Sequence, residues 1–90
     1  MPSMHKITEY FRKSHWILET LESMMASGNI DTGIEMNNVE RIMKTNRASY
    51  SFLNECMAGK KAGPFSFWVT KRTVDMDFKT VSKMVARKQL

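Results

Sequence analysis

Apolar residues recur in this chain in alternating steps of three and four, in two separate stretches, and that spacing restricts the fold more than any other feature. Between Ser3 and Gly28, positions 4, 7, 11, 14, 18, 21 and 25 hold Met4, Ile7, Phe11, Ser14, Leu18, Leu21 and Met25, with Tyr10, Ile17 and Met24 beside them. A half-buried strand needs a period of two; steps of three and four return side chains to one flank of an α-helix. The spacing therefore predicts one long helix over 3–27, with a flank close to a heptad seam. Ser3 suits its start, because a serine hydroxyl accepts an early free backbone N–H. Gly28 suits its end, because glycine takes the left-handed conformation without steric cost.

Residues 29–36 read as a connection, with Gly33 as its turn residue. Asn37 is then expected to cap a second helix over 38–58, with Glu40 three residues on as its capping-box partner. The second stripe is Val39, Met43, Asn46, Tyr50, Leu53 and Met57, and Gly59 closes it. Thr45 and Asn46 are mediocre helix formers and mark a point where a break is expected if one occurs. The two stripes imply an antiparallel hairpin. In that pairing Ser14 falls opposite Tyr50 and Leu18 opposite Asn46, so the two polar stripe members lie about one helical turn apart. A buried Asn can fix register; the plainer reading, preferred here, takes both as tolerated gaps.

Residues 59–64 (GKKAGP) form a loop that lacks the order of a phosphate-binding P-loop. Residues 65–74 fit a strand by residue type, but a strand needs a partner and the only candidate is the short stretch 30–34. Pro64 at the first position of a helix, followed by Phe65, Trp68, Val69 and Arg72 at helical spacing, is the favoured alternative. A last helix is expected from Asp75 or Asp77, with Phe78, Val81, Met84 and Val85 inside and Lys79, Lys83, Arg87 and Lys88 outside. The fold class that follows is all-α: a single helical domain over 1–90 of three or four helices, a long antiparallel hairpin plus a C-terminal basic helix. If the hairpin leaves part of these apolar stripes uncovered, self-association is expected, as a symmetric dimer.

Apolar runs reach only three residues, as in Trp16-Ile17-Leu18, so no membrane span or leader core is expected. The single cysteine, Cys56, allows no intrachain disulfide and suits a reducing, cytoplasmic setting. Charge is unevenly spread. Residues 1–55 carry six basic and seven acidic groups; residues 56–90 carry eight basic groups against Asp75 and Asp77. The whole excess of +5 therefore lies in the last third. Clustered basic charge of this kind suits a polyanion partner.

The segment Met76-Asp77-Phe78-Lys79-Thr80-Val81-Ser82-Lys83-Met84-Val85 resembles the recognition half of a helix-turn-helix of the lactose-repressor type. The resemblance covers these ten residues; upstream, Lys71 and Asp75 stand where the family has a small residue and a glycine. It implies that Met76, Val81 and Met84 pack inward and Asp77 caps. It also implies a DNA-binding regulator of transcription, with Lys79, Thr80, Ser82 and Lys83 nearest the groove of duplex DNA. Lys71, Arg72 and Arg87 would then meet phosphates.

Other chemistry has less to stand on. The mix of Lys60, Lys61, Phe65, Phe67, Trp68, Lys71 and Arg72 suits a single-strand surface, but such aromatics are expected in the core. His5 and His15 each precede a glutamate by four residues and read as helix-surface pairs. Cys56 has no basic activator. No cofactor, metal or catalytic activity is expected. The nine methionines support the alternative function, a helical inhibitor or adaptor that docks on a larger protein through a Met-rich face around Met24, Met25 and Met43.

Overall fold

Ser3 is extended, and its hydroxyl accepts the Lys6 N–H at 3.2 Å, so the chain enters a helix where its sequence allows. The computed structural model describes residues 2–88. They form α1 (Met4–Ala26), α2 (Ile34–Met57) and α3 (Pro64–Lys88), and no strand occurs among the described residues. The all-α expectation holds, with three helices.

The two connections use one device. Gly28 (φ 73) follows α1, where the Asn29 N–H reaches the Met24 carbonyl at 2.8 Å and the Gly28 N–H reaches Met25. Gly59 (φ 104) follows α2, where the Lys60 N–H reaches Glu55 at 3.0 Å and the Gly59 N–H reaches Cys56. Each pair of bonds satisfies carbonyls that a helix end leaves free, and each needs a residue in the left-handed region. A Cβ on Gly59 would meet no atom within 4 Å, so replacing it costs torsional strain alone. Gly59→Ala is expected to lose about 1–2 kcal/mol, read as a lower urea midpoint with an unchanged slope.

Two boundaries differ from the sequence reading. First, α2 begins at Ile34, ahead of Asn37. Gly33 turns into it with φ 87 and no side-chain cap, while the Glu35 carboxylate accepts the Asp31 N–H at 2.7 Å. As expected of a single second helix, α2 then runs unbroken through Thr45 and Asn46, whose side chains donate to the Arg41 and Ile42 carbonyls one turn back. Second, α3 is one continuous helix. Pro64 opens it, residues 65–73 are helical, and neither Asp75 nor Asp77 starts a new element. Both aspartates are used across helices instead. Asp75 accepts the Tyr10 hydroxyl at 2.9 Å and the Lys13 ammonium at 3.3 Å; Asp77 accepts the Asn46 amide. The turn that a helix-turn-helix places before its second helix is therefore missing, since residues 71–77 are helical throughout. Met76, expected inside, is 60% exposed.

The helices run up, down, up, in a body of 40 × 22 × 18 Å. Phe11 stacks on Tyr50 with ring centroids 4.6 Å apart, which fixes α1 antiparallel to α2. Tyr10 against Phe67 and Trp16 against Phe78 place α3 parallel to α1. The core joins Ile7, Ile17 and Leu21 to Val39, Ile42 and Leu53, and both sets to Phe67, Val74 and Val81. α3 covers a second part of the apolar surface of α1, and Met4, Trp16 and Met25 remain exposed on that helix.

The polar stripe members are not gaps. Ser14 and Asn46 are fully buried and face each other directly, one turn from the expected register. The Ser14 hydroxyl donates to the Asn46 backbone carbonyl at 3.1 Å. Asn46 spends one amide hydrogen on Ile42 and the other on Asp77, itself 8% exposed. Each helix thus contributes one polar group to a layer inside the bundle. Among the described residues no buried side-chain polar atom lacks a partner.

Candidate functional site on helix α3

The inner seam of α3 is Phe67, Val74, Asp77, Val81 and Met84, in steps of seven, three, four and three. A helix that fixes this seam inward turns the opposite flank to solvent. That flank carries Phe65, Trp68, Val69, Arg72, Met76, Lys79, Lys83 and Arg87, all exposed. Its first half is largely apolar and its second half is basic.

The structure separates the seven residues picked out in the sequence. Arg72, Lys79, Lys83 and Arg87 share the outer flank. Thr80 is exposed but lies toward α2, lining a shallow recess with Asn38, Ile42 and Met84; its hydroxyl donates to Met76 in its own helix at 3.1 Å. Lys71 and Ser82 are half-buried, and the Lys71 ammonium sits 6.0 Å from the Tyr10 ring centroid on the α1 side. Lys88, expected outside, turns back to the first connection. There it donates to Glu35 at 2.7 Å and to the Asn29 carbonyl. That contact, with the Asp31 N–H, holds the Glu35 carboxyl below the usual carboxylate range.

The cations of the outer flank are unspent. Among the described residues no carboxylate lies within 4.0 Å of Arg72, Lys79, Lys83 or Arg87. Asp75 borders a recess with Trp68, Lys71, Arg72 and Met76, while at the far end of the flank Arg87 shares a recess with Asp31 and Glu35. Lys13 and Tyr10 already occupy the Asp75 carboxylate. Burial, then the hydrogen bond to Asp75, pushes the Tyr10 hydroxyl up to about 12.

The aromatic residues divide against the sequence expectation. Phe67 is buried at 7% exposure and meets Tyr10 edge-on, as a core residue should. Phe65 is 74% exposed and Trp68 52%. Their rings lie within 24° of parallel with centroids 6.2 Å apart, and the Arg72 guanidinium stands 5.5 Å from the Trp68 ring. The sequence expectation placed all three in the core. Phe65 and Trp68 fall off the seam only once the packing of α3 selects Phe67, Val74 and Val81 as that seam. Between α2 and α3 an open groove of about 430 Å3 is bordered by Thr45, Ser49, Phe52, Phe65 and Val69.

The remaining candidates settle into structural places. Met24 and Met43 are core residues, at 8% and 5% exposure, so the Met-rich face does not exist as a surface; Met25 alone of the three is exposed. Cys56 is buried, and that burial raises its thiol above the ordinary value, away from the reactive thiolate. His15 pairs with Glu19 at 2.9 Å on the helix surface, while Glu9 faces Lys6 and Lys13. Among the described residues no three His, Cys, Asp or Glu side chains converge, and no helix is long and apolar enough to cross a membrane. No protein-family model, no curated protein and no solved structure matches the chain.

Proposed function

We propose that the protein binds nucleic acid through the outer flank of α3, with Arg72, Lys79, Lys83 and Arg87 on phosphates. The observation that carries this reading is their shared line: steps of seven, four and four on one side of one rigid helix, over about 22 Å, with no carboxylate within ion-pair distance among the described residues. Cations that fold into ion pairs are spent; these are free to displace the counterions of a polyanion. An unbroken helix laid along a backbone suits positioning by phosphates more than base reading by a helix-turn-helix. Lys71, Thr80 and Ser82 flank the line and act, on this reading, at its edges.

Four phosphate contacts set the size of the salt effect. Affinity is expected to fall roughly 100-fold between 50 and 200 mM salt, from a slope near 0.7–0.9 per contact. Arg87→Ala should lower that slope by about one and weaken all sequences alike. Fluorescence anisotropy with random DNA over a salt series measures both. A flat salt dependence, or a slope unchanged by Arg87→Ala, sinks the proposal.

A second reading is favoured by the other half of the same flank. Phe65, Trp68, Val69 and Met76 are exposed at helical spacing, and Trp and Arg dominate binding hot spots. An inhibitor or adaptor working there would lose its partner on Trp68→Ala and hold it as salt rises.

A further inference from the structure

We propose that Phe65 and Trp68 form a stacking site for unpaired nucleobases, so that the ligand of α3 is single-stranded nucleic acid. The inference rests on the reading of α3 as a phosphate-binding flank and adds a site at its N-terminal end. Phe67 already meets the need of this segment for a core aromatic, at 7% exposure. Phe65 and Trp68 leave at least half of their surface in water, and that exposure opposes the usual energetic use of such rings. They stand in a row with Arg72: near-parallel rings, then a guanidinium against the indole. A row of flat groups beside free cations is the arrangement that carries unpaired bases, because every base has a face to stack and a phosphate beside it.

Charge complementarity selects the occupant. Lys61 precedes the row in the connection, Lys71 and Arg72 flank it, and Lys79 and Lys83 continue along the helix, while Lys60 is paired with Glu55 at 3.0 Å. Asp75, which borders the row, is held by Lys13 and Tyr10. A paired duplex keeps its base faces inside its own stack and offers none to Trp68. A strand with free bases offers both faces and phosphates.

The test uses the full chain carrying Trp16→Phe, so that Trp68 is the sole tryptophan. Three probes are compared at low salt: oligo(dT) of about 16 nucleotides, an abasic strand of the same length, and a duplex. The expected result is quenching of Trp68 fluorescence by oligo(dT), which binds roughly ten-fold or more tighter than the abasic strand. Phe65→Ala, and separately Trp68→Ala followed by anisotropy of labelled probes, should bring oligo(dT) down to the abasic level and leave abasic binding and helix content unchanged. Equal affinity for oligo(dT) and the abasic strand overturns the stacking site while the phosphate-binding flank stands. Duplex binding as tight as oligo(dT) overturns it too. No binding of any probe overturns both proposals.

Discussion

Asn46→Leu is expected to destabilise the protein by about 3 kcal/mol at pH 7, although leucine fills nearly the same space. The loss comes from what the substitution leaves behind. Asn46 donates to Asp77, a carboxyl 8% exposed inside the bundle, and no ion pair reaches that carboxyl among the described residues. Removing one partner of a buried polar contact leaves the other desolvated and unmatched, which costs several kcal/mol. Removing the whole layer is different. Ser14→Ala, Asn46→Leu and Asp77→Leu together should restore most of the loss, because well-packed apolar groups replace a desolvated network with little or no penalty. Urea unfolding of the single and triple variants measures the difference. A triple variant no more stable than Asn46→Leu alone would refute this account of the layer.

The same carboxyl gives the layer a pH signature. Burial raises the Asp77 carboxyl above its ordinary value; the Asn46 hydrogen bond and Arg41 pull it part of the way back. A carboxyl that holds its proton more tightly when folded contributes most below its unfolded value, and that contribution is lost as pH rises through the folded value. Asn46→Leu removes one of the restraining effects, so its stability should fall more steeply with rising pH than that of the parent. Asp77→Asn removes the titrating group and should flatten the profile.

Much of the fold is legible because helical periodicity is local. The steps of three and four through α1 need only the neighbouring residues, and Gly28, Gly59 and Pro64 mark ends through backbone chemistry of their own. The errors concern residues whose role is set by distant partners. Asp75 and Asp77 are cap-forming types, and nothing near them in sequence shows that Tyr10 and Asn46, 65 and 31 residues away, take their oxygens. The start of α2 was hidden for a related reason: Gly33 opens it without a side-chain cap, and the connection is tied down by Lys88, 53 residues beyond Glu35. At the candidate site the basic charge was legible from composition. The exposed aromatics were not, because the phase of α3 depends on which seam meets α1. Phe67 and Trp68 are adjacent in the chain and opposite in fate.

That opposition gives a pair of substitutions with opposite expected outcomes. Leu21 is fully buried among the three helices. Leu21→Ala removes apolar contact and leaves a cavity that close-packed neighbours fill only in part, so it should cost about 3–5 kcal/mol. For a chain of this size total stability is on the order of 5–13 kcal/mol, so the melting temperature should drop by roughly 12 °C or more. Phe65→Ala removes a larger side chain, but one already 74% in solvent, and should stay within about 0.5 kcal/mol of the parent. Calorimetry of the two variants side by side reads both numbers. If Phe65→Ala costs as much as Leu21→Ala, the ring is part of the packing between α2 and α3 and the outer flank is not free to bind. If it costs nothing, the fold has no use for a large exposed aromatic at this position, and the reason for it lies in what α3 meets.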